Sequence, residues 1–213
     1  MAIQGMIFDF DGTLGDTLQL CCAAFREVTQ RRLGRDFSDA EIMALFGPSE
    51  DGIFQQLAGD GWQDCHADFL AIYERDHATS AELFPGIPEM LAVLRERDIP
   101  AAIVTGKSAE SAAISLRQLE LAAHFDIVEA GSPEGSVKPV AIRRILERWK
   151  IDPATVAYVG DAPNDVSEAH AAGVIPLAAA WAATVDRAAL EARKPAATFA
   201  SPADLTTWIR HNA

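Results

Sequence analysis

The chain has 213 residues, of which 49% are hydrophobic and 23% are charged, as is ordinary for a globular protein. Its 31 acidic residues against 18 Lys and Arg give a formal net charge of −13, which argues against nucleic acid as a partner. No apolar run approaches the roughly 18 residues of a membrane span, and no signal peptide is evident. Cys21, Cys22 and Cys65 form neither a metal-like spacing nor an even-numbered set, so we expect a cytoplasmic protein. We further expect a monomer or a homodimer.

Five short apolar runs predict buried strands at residues 5–8, 101–104, 126–129, 155–159 and 174–178. Helical patterns separate the later runs, at residues 89–97, 108–119, 141–149 and 164–172. Near-continuous apolar strands are typical of sheets that are covered on both faces. The chain is therefore predicted to be α/β, with a Rossmann-like open parallel sheet and helices on both faces.

One long interval, residues 16–83, breaks this alternation, because it carries helical patterns and no convincing strand. Ser38 and Glu41 form a plausible capping box that opens a second helix within it. We therefore predict an all-helical cap domain at residues 16–83, inserted after the first strand. The core domain would then comprise residues 1–15 and 84–213.

Polar side chains follow the predicted strands at the points where they end. Because ligands bind outside the carboxyl ends of parallel strands, these side chains are expected to meet at one edge of the sheet. Each of them, taken alone, also fits a turn, a helix cap or a solvated side chain. The candidates are Asp9, Asp11, Thr105, Lys138, Asp161 and Asp165.

The types of these residues indicate a metal and an anion. Carboxylates such as Asp9, Asp161 and Asp165 are hard oxygen ligands that suit Mg²⁺. The Thr105 hydroxyl, with the neighbouring backbone N–H, would bind a phosphoryl oxygen near a helix N-terminus. Lys138 would neutralise developing negative charge, whereas Lys107 is expected to be a surface residue.

Together these residues resemble the motifs of the haloacid dehalogenase superfamily, in the branch with a helical cap to which phosphoglycolate phosphatases belong. The run Asp9-Phe10-Asp11-Gly12-Thr13 is similar to its first motif and Thr105 to its second. Lys138 is similar to the third motif, and residues 160–165 are similar to the acidic fourth. Since their order and spacing span nearly the whole chain, the resemblance covers most of the protein.

The resemblance implies a phosphatase that hydrolyses a small-molecule phosphate monoester with Mg²⁺ as cofactor. Asp9 would attack phosphorus to form an aspartyl-phosphate, and Asp11 would protonate the leaving oxygen and then deprotonate the attacking water. Thr105 and Lys138 would stabilise the transferring group. The implied metal ligands are Asp9, Asp11 through its backbone carbonyl, Asp161, and Asp165 directly or through water.

Other reactions of the superfamily fit less well. Halide leaves without a proton, so a dehalogenase would have little use for Asp11. No lysine precedes Lys107, so the predicted cap lacks the lysine with which phosphonate hydrolases form a Schiff base. A sugar-phosphate mutase similar to β-phosphoglucomutase stays open as the alternative, and a non-catalytic phosphate-binding protein is less favoured.

Substrate choice is expected to depend on the predicted cap. A loop at residues 47–52 would face the core site. We also hypothesise that one cap arginine meets a second anionic group on the substrate, although each of them also fits an ordinary solvated helix position. These arginines are Arg26, Arg31, Arg32, Arg35 and Arg75.

Overall fold

The computed structural model describes residues 2–213, and its central feature is a parallel sheet. The strands within this range are β1 (Gly5–Phe8), β2 (Gly15–Asp16), β3 (Glu82–Leu83), β4 (Ala101–Val104), β5 (Ile127–Glu129), β6 (Val156–Gly160), β7 (Ile175–Ala179) and β8 (Ala197–Phe199). Six of them form the sheet in the order β5-β4-β1-β6-β7-β8, and every neighbouring pair is parallel. This arrangement puts β1 in the middle, between β4 and β6.

Helices cover this sheet and fill the interval between β2 and β3. They are α1 (Leu18–Leu33), α2 (Asp39–Met43), α3 (Glu50–Ala58), α4 (Trp62–Ser80), α5 (Ile87–Glu96), α6 (Ala109–Gln118), α7 (Lys138–Trp149), α8 (Pro163–Ala172), α9 (Arg187–Ala192) and α10 (Pro202–Asn212). Within residues 2–213, none of these helices combines the length and the apolar character that crossing a membrane requires.

The central strand β1 is buried on both faces because its side chains alternate between two hydrophobic clusters. Met6 and Phe8 pack in the cluster that includes Leu91 of α5 and Ile209 of α10. Ile7 points the other way, into the cluster formed with α7 and α8. The predicted α/β class, with helices on both faces of a parallel sheet, is confirmed.

The five predicted strands match the structure to within one residue at each end, but one prediction about extended structure is wrong and one strand of the sheet was not predicted. The interval 16–83 was expected to hold no strand, yet β2 and β3 pair antiparallel at its two ends, with Gly15 opposite Leu83. The sheet also gains an edge strand, β8, which pairs with β7. The missed strands, with the sequences Gly-Asp, Glu-Leu and Ala-Thr-Phe, lack the continuous apolar run by which the other strands were predicted.

Helices α1 to α4 surround a cluster of aromatic side chains of their own. The ring of Phe25 lies 4.9 Å from that of Phe54 and 4.7 Å from that of Phe69, between ring centroids. The predicted capping box of Ser38 and Glu41 begins α2. Residues 82–83 return the chain to the core, so we propose the helical interval as a cap domain with the predicted boundaries.

Candidate active site

The candidate site lies at the carboxyl ends of the three central strands. Asp9 directly follows β1, Thr105 follows β4 and Asp161 follows β6, so the sheet order brings them together. Lys138 begins α7, and Asp165 stands in the first turn of α8. All of these side chains line one cavity of about 200 Å³, which Asp11 also lines. The structure therefore brings together every residue that the sequence nominated.

The Lys138 ammonium forms ion pairs with two carboxylates that line this cavity. Its Nζ lies 2.7 Å from Asp9 Oδ2 and 2.6 Å from Asp165 Oδ1. The Tyr158 hydroxyl also donates to Asp165 Oδ1 at 3.1 Å, and the Ala162 N–H donates to the other oxygen at 2.9 Å. Lys138 is thus held in place as a positive charge beside the carboxylate of Asp9.

Three carboxylates crowd together around this lysine. Asp9, Asp161 and Asp165 each offer an oxygen, and these atoms lie within 4.8 Å of one another. Burial raises the pKa of Asp9 to about 7, against the charge of Lys138, which lowers it. Burial and then the charge of Asp165 raise the pKa of Asp161 well above its usual range. One lysine does not balance three carboxylates, so this oxygen cluster fits a divalent cation such as Mg²⁺.

Two glycines allow these carboxylates to approach the backbone. Gly12 has φ +78°, and a side chain there would also collide with the carboxylate of Asp161. A side chain at Gly160 would collide with that of Asp165. The geometry of the carboxylate cluster therefore depends on both glycines.

Asp11 enters the same cavity from the side of the helical interval. Lys107 Nζ lies 3.2 and 3.3 Å from its two carboxylate oxygens, and the Thr17 hydroxyl donates to one of them. The side chain of Asp11 stays 19% exposed, so it can still exchange a proton with a bound molecule. Asp9 and Asp11 therefore have separate partners, Lys138 for the first and Lys107 for the second.

The prediction that Lys107 lies on the surface is wrong. Its side chain is 1% exposed, because it fills the space between Asp11, Glu50 and the ring of Tyr73, whose centroid lies 4.4 Å from Nζ. Burial is the largest influence and lowers the pKa of Lys107, but the acidic groups around it, Asp11 first among them, together outweigh burial and hold the pKa well above its usual range. A buried ammonium with these partners stays charged.

Glu50 lies in the segment 47–52 that was predicted to face the core site, but the sequence analysis gave it no role of its own. It belongs to the first turn of α3, and its carboxylate accepts from the Ser108 N–H at 2.5 Å and from the Ser111 hydroxyl at 2.7 Å. It also lies 3.6 Å from Lys107 Nζ. An acidic residue in the first turn of a helix is common, so nothing local distinguished Glu50 from a solvated one.

The two residues that the sequence nominated for anion binding, Thr105 and Gly106, both line the cavity. Thr105 is buried, and its hydroxyl oxygen accepts from the Lys107 N–H at 3.3 Å. The N–H of Ser108, which caps the following helix α6, is already occupied by Glu50, so Thr105 and Gly106 stay the candidates for a phosphoryl oxygen.

The structure does not bring a cap arginine to the site, since no arginine of residues 2–213 lines the cavity. The cap arginines contact their own surroundings instead: Arg26 pairs with Asp39, Arg31 and Arg75 pair with Glu27, Arg32 pairs with Asp68, and Arg35 lies over the ring of Phe37. By contrast, Gly47 and Pro48 do line the cavity, as predicted for the loop that faces the core. That loop ends at Ser49, because Glu50 already begins α3.

Comparison with known proteins places this fold and site in a family. The family profile described as haloacid dehalogenase-like hydrolase matches residues 6–179. The chain belongs to the haloacid dehalogenase-like hydrolases. The resemblance read from the motifs, and the prediction of an enzyme of this family, are confirmed.

Individual relatives agree with this assignment over most of their length. The chain is 33% identical to a phosphoglycolate phosphatase of Synechococcus elongatus, over 95% of both chains. It is 25% identical to the pyrophosphatase PpaX of Bacillus mycoides, over 92% of this chain and 91% of the other. A solved haloacid dehalogenase-like hydrolase of Streptococcus pneumoniae superimposes with a TM-score of 0.78 at 26% identity, over 97% of this chain and 98% of that one.

Proposed function

We propose that this hydrolase is a Mg²⁺-dependent phosphatase that cleaves small-molecule phosphate monoesters through an aspartyl-phosphate. The observation that carries the proposal is the separation of two carboxylates in one cavity, Asp9 beside Lys138 and Asp11 beside Lys107. A nucleophile and a proton carrier need such separate environments. The names of the two curated relatives, a phosphoglycolate phosphatase and a pyrophosphatase, both favour hydrolysis at phosphorus.

Asp9 is the proposed nucleophile. The Phe10 N–H donates to its Oδ1 at 2.7 Å and Lys138 donates to its Oδ2 at 2.7 Å, so the carboxylate is fixed in one orientation. Lys138 also favours the ionised form, which attacks phosphorus, against the effect of burial. The bond from phosphorus to the leaving oxygen breaks as the bond to Asp9 forms.

Asp11 is the proposed acid and base. It would give its proton to the leaving alcohol oxygen and then take one from the water that hydrolyses the aspartyl-phosphate. Thr17 and Lys107 hold the carboxylate at the mouth of the cavity, where both oxygens have a partner. We assign Lys107 as a positioning residue that acts through Asp11.

The metal would be held by Asp9, Asp161 and Asp165, together with the backbone carbonyl of Asp11. When bound, Mg²⁺ supplies positive charge that offsets the phosphoryl oxygens and the crowded carboxylates. Thr105 and the Gly106 N–H would bind phosphoryl oxygens from the other side. These roles are carried over from the family motifs and rest on the convergence of the same residues on one cavity.

The decisive test measures phosphate release from a panel of phosphate esters, including p-nitrophenyl phosphate, with and without Mg²⁺. We expect turnover that needs Mg²⁺ and is abolished in Asp9→Asn, while the exposed control Asp60→Asn keeps full activity. Borohydride reduction followed by mass spectrometry should locate a reduced aspartyl-phosphate at Asp9. If no ester is hydrolysed, or if Asp9→Asn retains turnover, the proposal is wrong.

A second experiment tests whether Asp11 is the general acid. In Asp11→Asn, kcat/KM for alkyl phosphates should fall about 10²–10⁴-fold, because the alkoxide no longer receives a proton. The loss for p-nitrophenyl phosphate should be much smaller, since nitrophenolate leaves without one. Equal losses for both esters would remove Asp11 from the role of general acid.

A further inference from the structure

We infer that the leaving group of the natural substrate carries no second negative charge, so that the enzyme selects phosphate monoesters of uncharged alcohols. The inference rests on the proposed function and specifies its substrate class. It follows from the surroundings of Asp11, which would stand next to the leaving oxygen. Three features of those surroundings oppose a carboxylate or a second phosphate there.

The first feature is the apolar surface beside Asp11. Five of the seven residues that the helical interval contributes to the lining are apolar: Leu18 and Cys21 from α1, Phe46 and Pro48 from the loop before α3, and Ile53 from α3; the other two are Gly47 and Glu50. Burial raises the pKa of the Cys21 thiol well above its usual range, so this group is neutral as well. A charged leaving group would lose its hydration against this wall without gaining a partner.

The second feature is the excess of carboxylates over cations in the cavity lining, six against two, which the two charges of one Mg²⁺ would reduce but not cancel. Among the described residues, the cavity lining carries two cations, Lys107 and Lys138. Each is already bound to two carboxylates, and the Lys107 ammonium also faces the ring of Tyr73. The carboxylates in the same lining are Asp9, Asp11, Glu50, Asp161, Asp165 and Glu168.

The third feature concerns two of the helix N-termini at the cavity, those of α3 and α6, because anions usually bind at such positions. The Ser108 N–H, at the N-cap of α6, donates to Glu50 at 2.5 Å. The first turn of α3 carries Glu50 and Asp51. The Glu50 carboxylate therefore occupies the N-terminus of α6, and the acidic first turn of α3 would repel a substrate anion.

These features distinguish this chain from the activities that its relatives are named for. Phosphoglycolate has a carboxylate two bonds from the ester oxygen, and pyrophosphate has a second phosphate in place of the alcohol. Either group would lie near Asp11 and Glu50, with the cap arginines paired elsewhere. A neutral alcohol would instead contact the apolar wall and meet no opposing charge.

The test compares two esters of the same size, 2-phosphoglycolate and its carboxamide, with the Mg²⁺-loaded enzyme. We expect kcat/KM for the carboxamide to exceed that for phosphoglycolate by about tenfold or more, because of the repulsion by nearby carboxylates in a cavity of low dielectric. Phosphoglycolate hydrolysed as fast as the carboxamide, or faster, overturns the inference but leaves the phosphatase proposal intact. Absence of hydrolysis with both esters and with p-nitrophenyl phosphate overturns the phosphatase proposal and this inference together.

Two matched substitutions distinguish the effect of the cavity on substrate choice from the effect of the net charge of the whole protein. Phe46 lines the cavity and is 38% exposed, whereas Met43 is 37% exposed and lies outside the lining. Phe46→Arg puts a free guanidinium beside the leaving group. It should reduce the ratio of kcat/KM for the carboxamide to kcat/KM for phosphoglycolate at least about threefold, because phosphoglycolate is hydrolysed faster. Met43→Arg adds the same charge elsewhere and should leave the preference unchanged.

Both variants yield outcomes that decide the inference. If Met43→Arg narrows the preference as much as Phe46→Arg does, the discrimination comes from the net charge of −13 and the inference is wrong. If Phe46→Arg leaves the preference unchanged, the wall near Phe46 does not contact the leaving group, and the inference is wrong again. Thermal denaturation of both variants verifies that they are folded.

Discussion

Lys107 shows how one side chain can connect parts of the site that are far apart in the chain. Its ammonium contacts Asp11, which follows β1, and Glu50, which begins α3. Buried charges of this kind are stable only while their partners remain. Lys107 therefore supports both the orientation of Asp11 and the contact between the helical interval and the core.

Replacing Lys107 by Met should be strongly destabilising. The substitution leaves Asp11 and Glu50 facing each other without a countercharge, and such a loss typically costs about 3–5 kcal/mol of unfolding free energy. Urea denaturation checks this value, with the exposed Lys150→Met as the matched control. An unchanged denaturation midpoint would contradict the structural role assigned to Lys107.

His77 should make stability depend on pH. It is fully buried, and burial, with help from Lys107, lowers its pKa below 6.5. The unfolded chain then binds the proton at a higher pH than the folded protein, so the unfolding free energy falls as the pH drops below about 6.5 and levels off below the folded pKa. His77→Gln should show a smaller loss between pH 7 and 5 than the parent protein.

The matched control for this measurement is His211→Gln, because His211 is exposed on α10. Carboxylates with raised pKa values contribute equally to the parent and to both variants, so the difference between the curves isolates each histidine. Identical curves for the parent and His77→Gln would show that His77 is not the group that titrates.

At the scale of elements, the turn after β1 determines the geometry of the carboxylate cluster. Gly12 has φ +78°, and Gly34, at the end of α1, has φ +64°. A side chain at Gly12 would meet Asp161, whereas a side chain at Gly34 would enter open space. The two glycines thus share a left-handed backbone and differ in what surrounds them.

This pair yields a controlled prediction. Gly34→Ala should cost about 1–2 kcal/mol of stability, the price of a left-handed alanine. Gly12→Ala should reduce the free energy of unfolding by more than Gly34→Ala does. It should also lower activity and Mg²⁺ affinity, because Asp161 has to move. Isothermal titration with Mg²⁺ and chemical denaturation measure the two effects. Equal losses of stability, with unchanged Mg²⁺ binding, would mean that Asp161 adapts freely.

The elements also show where sequence pattern succeeds. The strand at residues 101–104 is recognisable by its continuous apolar run, and the helix around residues 164–172 by its helical pattern. The pair β2 and β3 has no such signal: its residues are extended because Gly15 meets Leu83 across the whole helical interval. Pairing over such a distance is a tertiary effect.

At the scale of the molecule, the helical interval and the core are joined by polar contacts as well as by packing. The Tyr73 hydroxyl of α4 lies 2.8 Å from Ser115 Oγ of α6, and Arg117 of α6 lies 2.6 Å from Glu74. Ile114 of α6 packs in the same cluster as Phe25 and Phe69. Hydrogen bonding, ion pairing and apolar packing therefore all join the helical interval to α6 of the core.

Metal binding should stabilise the whole protein. Since Mg²⁺ would bind only the folded carboxylate cluster, a concentration of 100 times Kd should add about 2.7 kcal/mol to the unfolding free energy. Differential scanning calorimetry should show a rise in Tm with Mg²⁺ that EDTA reverses and that Asp161→Asn abolishes, while Asp60→Asn keeps it. An equal rise in Asp161→Asn would place the ion elsewhere.

The sequence by itself determined the α/β class, the helical interval and the set Asp9, Asp11, Thr105, Lys138, Asp161 and Asp165, because apolar runs and polar residues at strand ends are local signals. Only the tertiary structure decided that Lys107 is buried, that Glu50 reaches α6 and that the cap arginines pair away from the cavity. Each of these depends on which distant side chains become neighbours, since burial and pairing, not residue type, determine what a charged group does.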